Sequence, residues 1–242
     1  MKDAIHRRSL SQRNNPGKLA RVGVTEGPRN ARLFGWARNL TSKYRKILDR
    51  HDHDQNISSL FGLFYTLLRG QLPWLANEYE YAISSTQLPR LDINQLQQFT
   101  IPFPNHPITF NGYPLSPPEG YIATDFCKEI HIDKHWDRCP WGSYWNLSRT
   151  QSEGRIGLES GASFFISDYG LRITNDVNTF VAWKISLWYG TGWYYHDLHH
   201  YGIATVLSKV TQTTWEEYQM KVKKGELEDG DLLWYPENES SS

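Results

Sequence analysis

His131 and Asp133 are the two residues whose types and spacing best suit metal chemistry. Ile132 separates them and Ile130 precedes them, which gives the segment the apolar alternation of a β-strand. Side chains two positions apart on a strand point to the same face, so we expect the imidazole and the carboxylate to converge. Together they would supply two of the three ligands of a 2-His-1-carboxylate iron site.

The sequence leaves the third ligand of such a site open. It must come from a later strand near residues 183–191, and that run contains no histidine. Tyr189 lies in the run, and a predicted loop behind it contains His196, His199 and His200. Alternatively, these histidines belong to an exposed polar loop and do not bind a metal. A second pair, His135 and Asp137, repeats the spacing, but the flanking isoleucines favour His131 and Asp133.

The composition is that of a folded chain with balanced charge. The 242 residues include 26 Lys and Arg and 26 Asp and Glu. With these charges balanced, the chain has no overall positive charge that would attract nucleic acid or an anionic membrane. Basic residues are nevertheless concentrated in residues 1–50, which makes this segment a candidate contact for nucleic acid. Two cysteines fit a reducing compartment. The lack of a long apolar run predicts no membrane partner and an intracellular protein, cytoplasmic or nuclear.

The first two of four predicted regions are an arm and a helical segment. Residues 1–28 are polar and interrupted by Pro and Gly, which predicts a flexible N-terminal arm. Apolar residues recur at intervals of three and four within 29–97, which predicts a helical support region. Its helices are expected over 30–50, after Asn56 and over 74–85, and the polar run His51–Asp54 is expected to be a loop between the first two.

The other two regions are a strand-rich core and a C-terminal helix. From 98 to 212 the hydrophobic period is closer to two and is punctuated by Pro, Gly and Asn, which predicts many short strands in a sandwich or barrel. Residues 213–242 are predicted to form a capped helix and a tail. Helices followed by strands indicate an α+β fold, with an N-terminal helical layer packed on an antiparallel, barrel-like core.

Several short motifs resemble a known family. Their order is similar to that of the 2-oxoglutarate/Fe(II) dioxygenase domains of fungi, distant relatives of TET/JBP-type nucleic-acid-base hydroxylases and of prolyl hydroxylases. The resemblance extends from about residue 17 to residue 218. Its motifs are His131 to Lys134, Ser163 to Ile173, Trp183 to Thr191 and Gly202 to Ser208, with a lead-in from Gly27 to Trp36.

The resemblance implies a double-stranded β-helix (jelly-roll-like) core and a non-haem Fe(II)/2-oxoglutarate-dependent dioxygenase that hydroxylates an unknown substrate. It assigns the iron ligands to His131 and Asp133, and it aligns Tyr189 with the distal histidine of a His-Gly-Thr run. The arginine that binds the oxo-acid carboxylate is also absent, and Lys209 or Arg172 would replace it as a point charge.

Three tryptophans near the expected iron site are candidates for a substrate-binding wall: Trp183, Trp188 and Trp193. The departures from the family pattern leave an alternative open. In that alternative the chain is a catalytically degenerate dioxygenase-fold binding module that lacks the distal histidine and the oxo-acid arginine.

Overall fold

The computed structural model describes residues 17–27, 32–37, 47–91, 98–101, 108–111, 116–133, 139–151, 161–193, 198–226 and 232–233. Two compact units are present, and each is described by itself. The first contains Tyr121–Val206 and the described part of His6–Arg21, and the second contains the described parts of Val22–Gly120 and Leu207–Ser242.

The helices and strands follow one another along the chain in this order. They are β1 (Lys18–Thr25), β2 (Phe34–Trp36), α1 (Ile47–Gln71), α2 (Pro73–Thr86), β3 (Gln98–Ile101), β4 (Ile108–Asn111), β5 (Glu119–Thr124), β6 (Lys128–His131), β7 (Trp141–Gln151), β8 (Phe164–Ile166), β9 (Leu171–Ile173), β10 (Phe180–Lys184), β11 (Tyr189–Thr191), β12 (Leu198–Thr205), α3 (Lys209–Lys224) and β13 (Leu232–Leu233).

The first unit contains two antiparallel sheets. In one, the strands lie side by side in the order β10, β7, β12, β5. The other has the order β6, β11, β8, β9. From β5 to β12 the chain therefore crosses repeatedly between the sheets. The described strands do not close into a barrel, so the expectation of a closed core is not met.

The two sheets of the first unit face each other across an aromatic and aliphatic cluster, which we call the inner cluster. Its buried members are Phe164, Ile166, Val181, Trp183, Ile185 and Tyr189. Ring centroids of Phe164 on β8 and Trp183 on β10 are 4.9 Å apart, so the contact joins the two sheets. Burying each side chain of this size contributes roughly 1.5–3 kcal/mol.

Strand β7 has a bulge that changes which of its residues face the inner cluster. Tyr201 of β12 pairs with Ser148, whereas Gly202 pairs with Asn146, so Leu147 is an extra residue on β7. Side chains alternate on a strand, and one inserted residue shifts that alternation by one position. Each residue of β7 beyond Leu147 therefore faces the side of the sheet opposite to the one it would face if the strand had no bulge.

The second unit is built around the hairpin of α1 and α2. Only Leu72 separates the helices, and Pro73 occupies the first turn of α2, where its missing N–H costs little. The facing apolar side chains of this hairpin are fully buried: Phe61, Phe64, Tyr65, Leu68, Leu75 and Tyr79. Trp215 of α3 donates its indole N–H to the carbonyl of Thr86 at 2.9 Å.

The mixed α+β class, the helix predicted after Asn56 and the helix predicted over 74–85 are confirmed, whereas the helix predicted at Phe34–Trp36 and the loop predicted at His51–Asp54 are wrong. Within 30–50, Phe34–Trp36 is a strand, because it pairs with β1 on one side and with β13 on the other. The run His51–Asp54 is not a loop, because α1 continues through it. Hydrogen bonding to neighbouring strands outweighs a helical spacing of apolar residues.

The region boundaries also differ from those predicted. Strand β1 lies inside 1–28, the segment predicted as an arm, and its alternation of buried Val22 and Val24 explains the strand. The hairpin of β3 and β4 belongs to the second unit, whereas the predicted region 98–212 placed it with the later strands. Helix α3 begins at Lys209 instead of 213, because Ser208 caps it and accepts a hydrogen bond from the backbone N–H of Thr211.

None of the helices within the described ranges combines the length and apolar character that a membrane-spanning segment requires.

Candidate functional site

The candidate site begins with a cross-strand pair. His131 ends β6 and Tyr189 begins β11, and the two residues are direct partners in the antiparallel register. Their ring centroids are 4.4 Å apart. Directly opposed residues of antiparallel strands share a sheet face, so the pairing places the imidazole beside the phenol.

Asp133 lies just beyond β6 and brings a carboxylate to the same place. Its backbone N–H donates to the carbonyl of Ile185 at 3.1 Å, which fixes the chain after the strand. One carboxylate oxygen, Oδ1, is 3.9 Å from Nε2 of His131. The structure thus brings the two side chains together, as the His-x-Asp spacing predicts.

The ring of His131 has a defined tautomer and charge. Its Nδ1 is 2.8 Å from the carbonyl oxygen of Glu129, which can only accept, so the proton is on Nδ1 and the lone pair is on Nε2. Burial lowers the pKa of His131 below its ordinary value, and the nearby Lys128 acts in the same direction. A neutral imidazole with one nitrogen bonded to a carbonyl and the other open is the form that binds metals.

Tyr189 is the third member of the site, and it acts as a hydrogen-bond donor. Its hydroxyl donates to Oδ2 of Asp133. Burial first, and then the charge of Asp133, raises the pKa of Tyr189 above its ordinary value. The ring is held within the inner cluster, 5.1 Å from Trp183 between centroids. Tyr189 is therefore a neutral phenol and not a phenolate.

These residues do not fit a three-ligand iron site. His131 and Asp133 can each offer one donor atom, but the phenol oxygen of Tyr189 still carries its proton. With metal–ligand bonds of about 2.0–2.2 Å, the 3.9 Å between Nε2 and Oδ1 would require a wider angle at the ion than adjacent ligands of a tetrahedral or octahedral site make. Across the described ranges, no group of three or more His, Cys, Asp or Glu residues is arranged to hold a metal ion.

The histidines proposed as alternative ligands have other partners or lie outside the described residues. His199 and His200 are on strand β12, not in a loop. Nδ1 of His199 is 2.9 Å from Oδ2 of Asp125, and the backbone N–H of His200 donates to Oδ1 of the same carboxylate at 2.8 Å. His196, His135 and Asp137 are outside the described residues.

Arg172, one of the two cations suggested for oxo-acid binding, does not face Tyr189. Arg172 pairs across the sheet with Phe165, whereas Tyr189 pairs with Ile166, the next residue along β8. Neighbouring residues on a strand point to opposite faces, so Arg172 is on the outer face, where its Nε donates to Ser163 Oγ at 3.1 Å. Lys209 is the first residue of α3 in the second unit.

The expected tryptophan wall is divided between different environments. Trp183 is 6% exposed and belongs to the inner cluster, whereas Trp188 is 50% and Trp193 67% exposed. The ring of Trp183 lies 5.1 Å from the ring of Tyr189 between centroids. Trp188 and Trp193 therefore do not line the same buried interior as Trp183.

Sequence reasoning missed a second group of polar residues between the sheets. Arg149 of β7 is 3% exposed and is the direct partner of His200 on β12. Asn146, on the same strand, is fully buried. The β-strand pattern of residues 143–148 was visible, but the bulge at Leu147 was not, and the bulge turns Arg149 inward.

Comparison of the sequence with protein-family models and with curated proteins gives no match. Functional conclusions therefore depend on the side-chain geometry of the first unit.

Proposed function

We propose that this chain is a catalytically degenerate relative of the Fe(II)/2-oxoglutarate dioxygenases. In this proposal the protein keeps the double-stranded β-helix arrangement and acts as a binding or interaction module, without iron-dependent oxidation. The observation that carries the proposal is the hydrogen bond from the Tyr189 hydroxyl to Asp133.

Strand order in the first unit supports the fold part of the proposal. Eight strands, β5 to β12, are distributed over two facing antiparallel sheets, and connections cross repeatedly from one sheet to the other. We infer that this distribution corresponds to a jelly roll, which also consists of two packed antiparallel sheets. The His-x-Asp pair at the end of β6 and Tyr189 at the start of β11 then occupy neighbouring strands of one sheet.

The state of Tyr189 supports the loss of iron chemistry. An iron site of this type needs three protein ligands and two further positions for the oxo-acid. The phenol keeps its proton because burial and Asp133 both raise its pKa. It also occupies Oδ2 of Asp133, one of the two oxygens that would bind the metal. Iron would have to remove this proton and break this hydrogen bond before binding.

Replacing Tyr189 with histidine tests the proposal. Tyr189→His would complete a two-histidine, one-carboxylate set, whereas Tyr189→Phe removes the hydroxyl without adding a ligand. Anaerobic calorimetric titration with Fe(II) should give weak binding for the natural protein and the Phe variant. The His variant should bind about 10-fold tighter or more.

A different result would favour the active dioxygenase. Micromolar Fe(II) binding by the natural protein that is lost in His131→Ala, together with turnover of 2-oxoglutarate, would overturn the proposal. Absence of both in the natural protein, with gain of binding in Tyr189→His, would support it.

Contact between the basic N-terminal segment and nucleic acid stays a prediction. Residues 1–16, 28–31 and 38–46 of this segment lie outside the described residues. Its test is retention on heparin, which should fall with added salt and be lost when residues 1–16 are removed.

A further inference from the structure

We propose that two copies of this chain associate through the outer face of the sheet formed by β6, β11, β8 and β9, around a two-fold axis parallel to its strands. The outer face is the side of this sheet that points away from the inner cluster. Tyr189 and its contacts lie on the inner side. The inference therefore goes beyond the proposed function and does not depend on it.

One row of cross-strand neighbours runs across this outer face. Gly190 of β11 is the direct partner of Phe165 on β8, and Phe165 is the direct partner of Arg172 on β9. Phe165 lies between Phe164 and Ile166, which both belong to the inner cluster. Because side chains alternate along a strand, Phe165 and its two partners are on the outer side.

The row ends at the edge strand β6. The register of β6 against β11 shifts opposite Gly190, so that both Glu129 and Ile130 stand across from that one residue. Both residues are exposed, and the exposed fraction of Ile130 is 49%. The edge of the outer face at β6 therefore carries an acid next to an aliphatic side chain.

Apolar side chains occupy the middle of the face. Phe165 is partly exposed, and its ring leans over β11, since a methyl group added to Gly192 would come within 2.9 Å of it. Trp188 directly precedes the inward-facing Tyr189, so it points outward, and it is 50% exposed. Exposed apolar side chains that are grouped on one face mark a site of protein association.

Opposite charges at the two edges make this face complementary to itself. Glu129 is on the edge strand β6 and the exposed Arg172 is on the edge strand β9, three strand spacings or about 14 Å away. A two-fold axis along the strands exchanges the two edges. Since both residues belong to one row, Glu129 of each copy would then lie over Arg172 of the other.

The same symmetry operation brings the apolar centres of the two faces together. The ring of Phe165 leans towards the middle of the sheet, so the rings from the two copies would meet near the axis. Stable interfaces bury about 800 Å² on each partner. Four strands of three or four residues offer a smaller area, so we expect a weak dimer that dissociates on dilution.

The experiment is sedimentation equilibrium of the full chain between micromolar and millimolar concentrations. The natural protein should show a monomer–dimer equilibrium. Glu129→Arg and Arg172→Glu should each weaken it by about 10-fold or more, because each places like charges opposite one another twice. The double variant should restore it, since the pair is then only reversed. Lys223→Glu, on the exposed end of α3, is the matched control and should leave it unchanged.

Three results would overturn the inference: a monomer at every concentration, single charge reversals that leave the dimer unchanged, and a double variant that stays as weak as the single ones. Arg172 Nε also donates to Ser163 Oγ, so circular dichroism should confirm that Arg172→Glu folds. If it does not, Ile130→Lys replaces it and should weaken the dimer as Glu129→Arg does. None of these results affects the iron titration of Tyr189→His, so the two proposals are judged separately.

Discussion

The hydroxyl of Tyr189 donates a hydrogen bond to the carboxylate of Asp133, 56 residues earlier in the chain. The contact ties strand β11 to the segment after β6, next to the register pair of Tyr189 and His131. It satisfies a buried phenol and one oxygen of a carboxylate that is 34% exposed. The bond therefore fixes both the ring of Tyr189 and the carboxylate of Asp133.

Tyr189→Phe should destabilise the protein by about 1–3 kcal/mol, because a hydrogen bond to a charged acceptor is lost from a mostly buried position. The pKa of His131 should rise in this variant, since Asp133 is released from Tyr189 and can interact more closely with the imidazole. Urea unfolding measures the first effect, and NMR titration of the histidine ring protons measures the second.

Tyr169→Phe is the control for this prediction, because Tyr169 is 67% exposed. Its removal should change the free energy of unfolding by less than about 0.5 kcal/mol. Equal stability of the two phenylalanine variants would contradict a stabilising role for the bond from Tyr189 to Asp133.

Stability should fall as the pH decreases from 6.5 towards 4, because of His200. Burial lowers the pKa of His200 from 6.5 to about 4, so in this range the unfolded chain takes up a proton that the folded chain does not. The contribution of neutral His200 is complete above pH 6.5, and it is lost as the pH falls towards the folded-state pKa. His200→Gln should flatten this part of a plot of unfolding free energy against pH.

His199→Gln is the comparison, because the His199 side chain is 59% exposed. It should leave most of the slope in place. A slope that persists unchanged in His200→Gln would assign the pH dependence to other groups.

Gly202→Ala should destabilise the protein by about 1–3 kcal/mol, because the new methyl group would overlap the ring of Tyr144 on the inner face. Thermal or urea unfolding measures the loss. The double variant with Tyr144→Ala should show a favourable coupling between the two substitutions, since it removes the obstructing ring.

Gly70→Ala is the opposite case, because no atom lies within 4 Å of the added methyl group on helix α1. It should raise the unfolding free energy by about 0.5–1 kcal/mol. An unchanged free energy of unfolding in Gly202→Ala would show that the ring of Tyr144 moves aside easily.

Local patterns predicted the elements whose stability is mostly local. Pro73 and the apolar spacing after it identified α2, and the short alternating run at 171–173 matches β9. Phe34–Trp36 was misassigned, because its hydrogen-bond partners are β1 and β13, and β13 is far away in sequence. A periodic pattern contains no information about such distant partners.

The sequence predicted part of the candidate site but not the direction in which its side chains point. The spacing of His131 and Asp133 was sufficient to place them together, since both belong to one short segment. That Arg172 faces outward and Arg149 inward depends on sheet register, which the sequence does not reveal. The proton on Tyr189 likewise depends on burial by residues from other strands.

The extra residue Leu147 makes the interior between the two sheets of the first unit sensitive to the length of β7. Shortening β7 by that one position would rotate the side chains beyond it by half a turn, moving Arg149 to the outside while leaving every side-chain type intact. Loss or gain of a single codon here would therefore change which side chains of β7 line the interior.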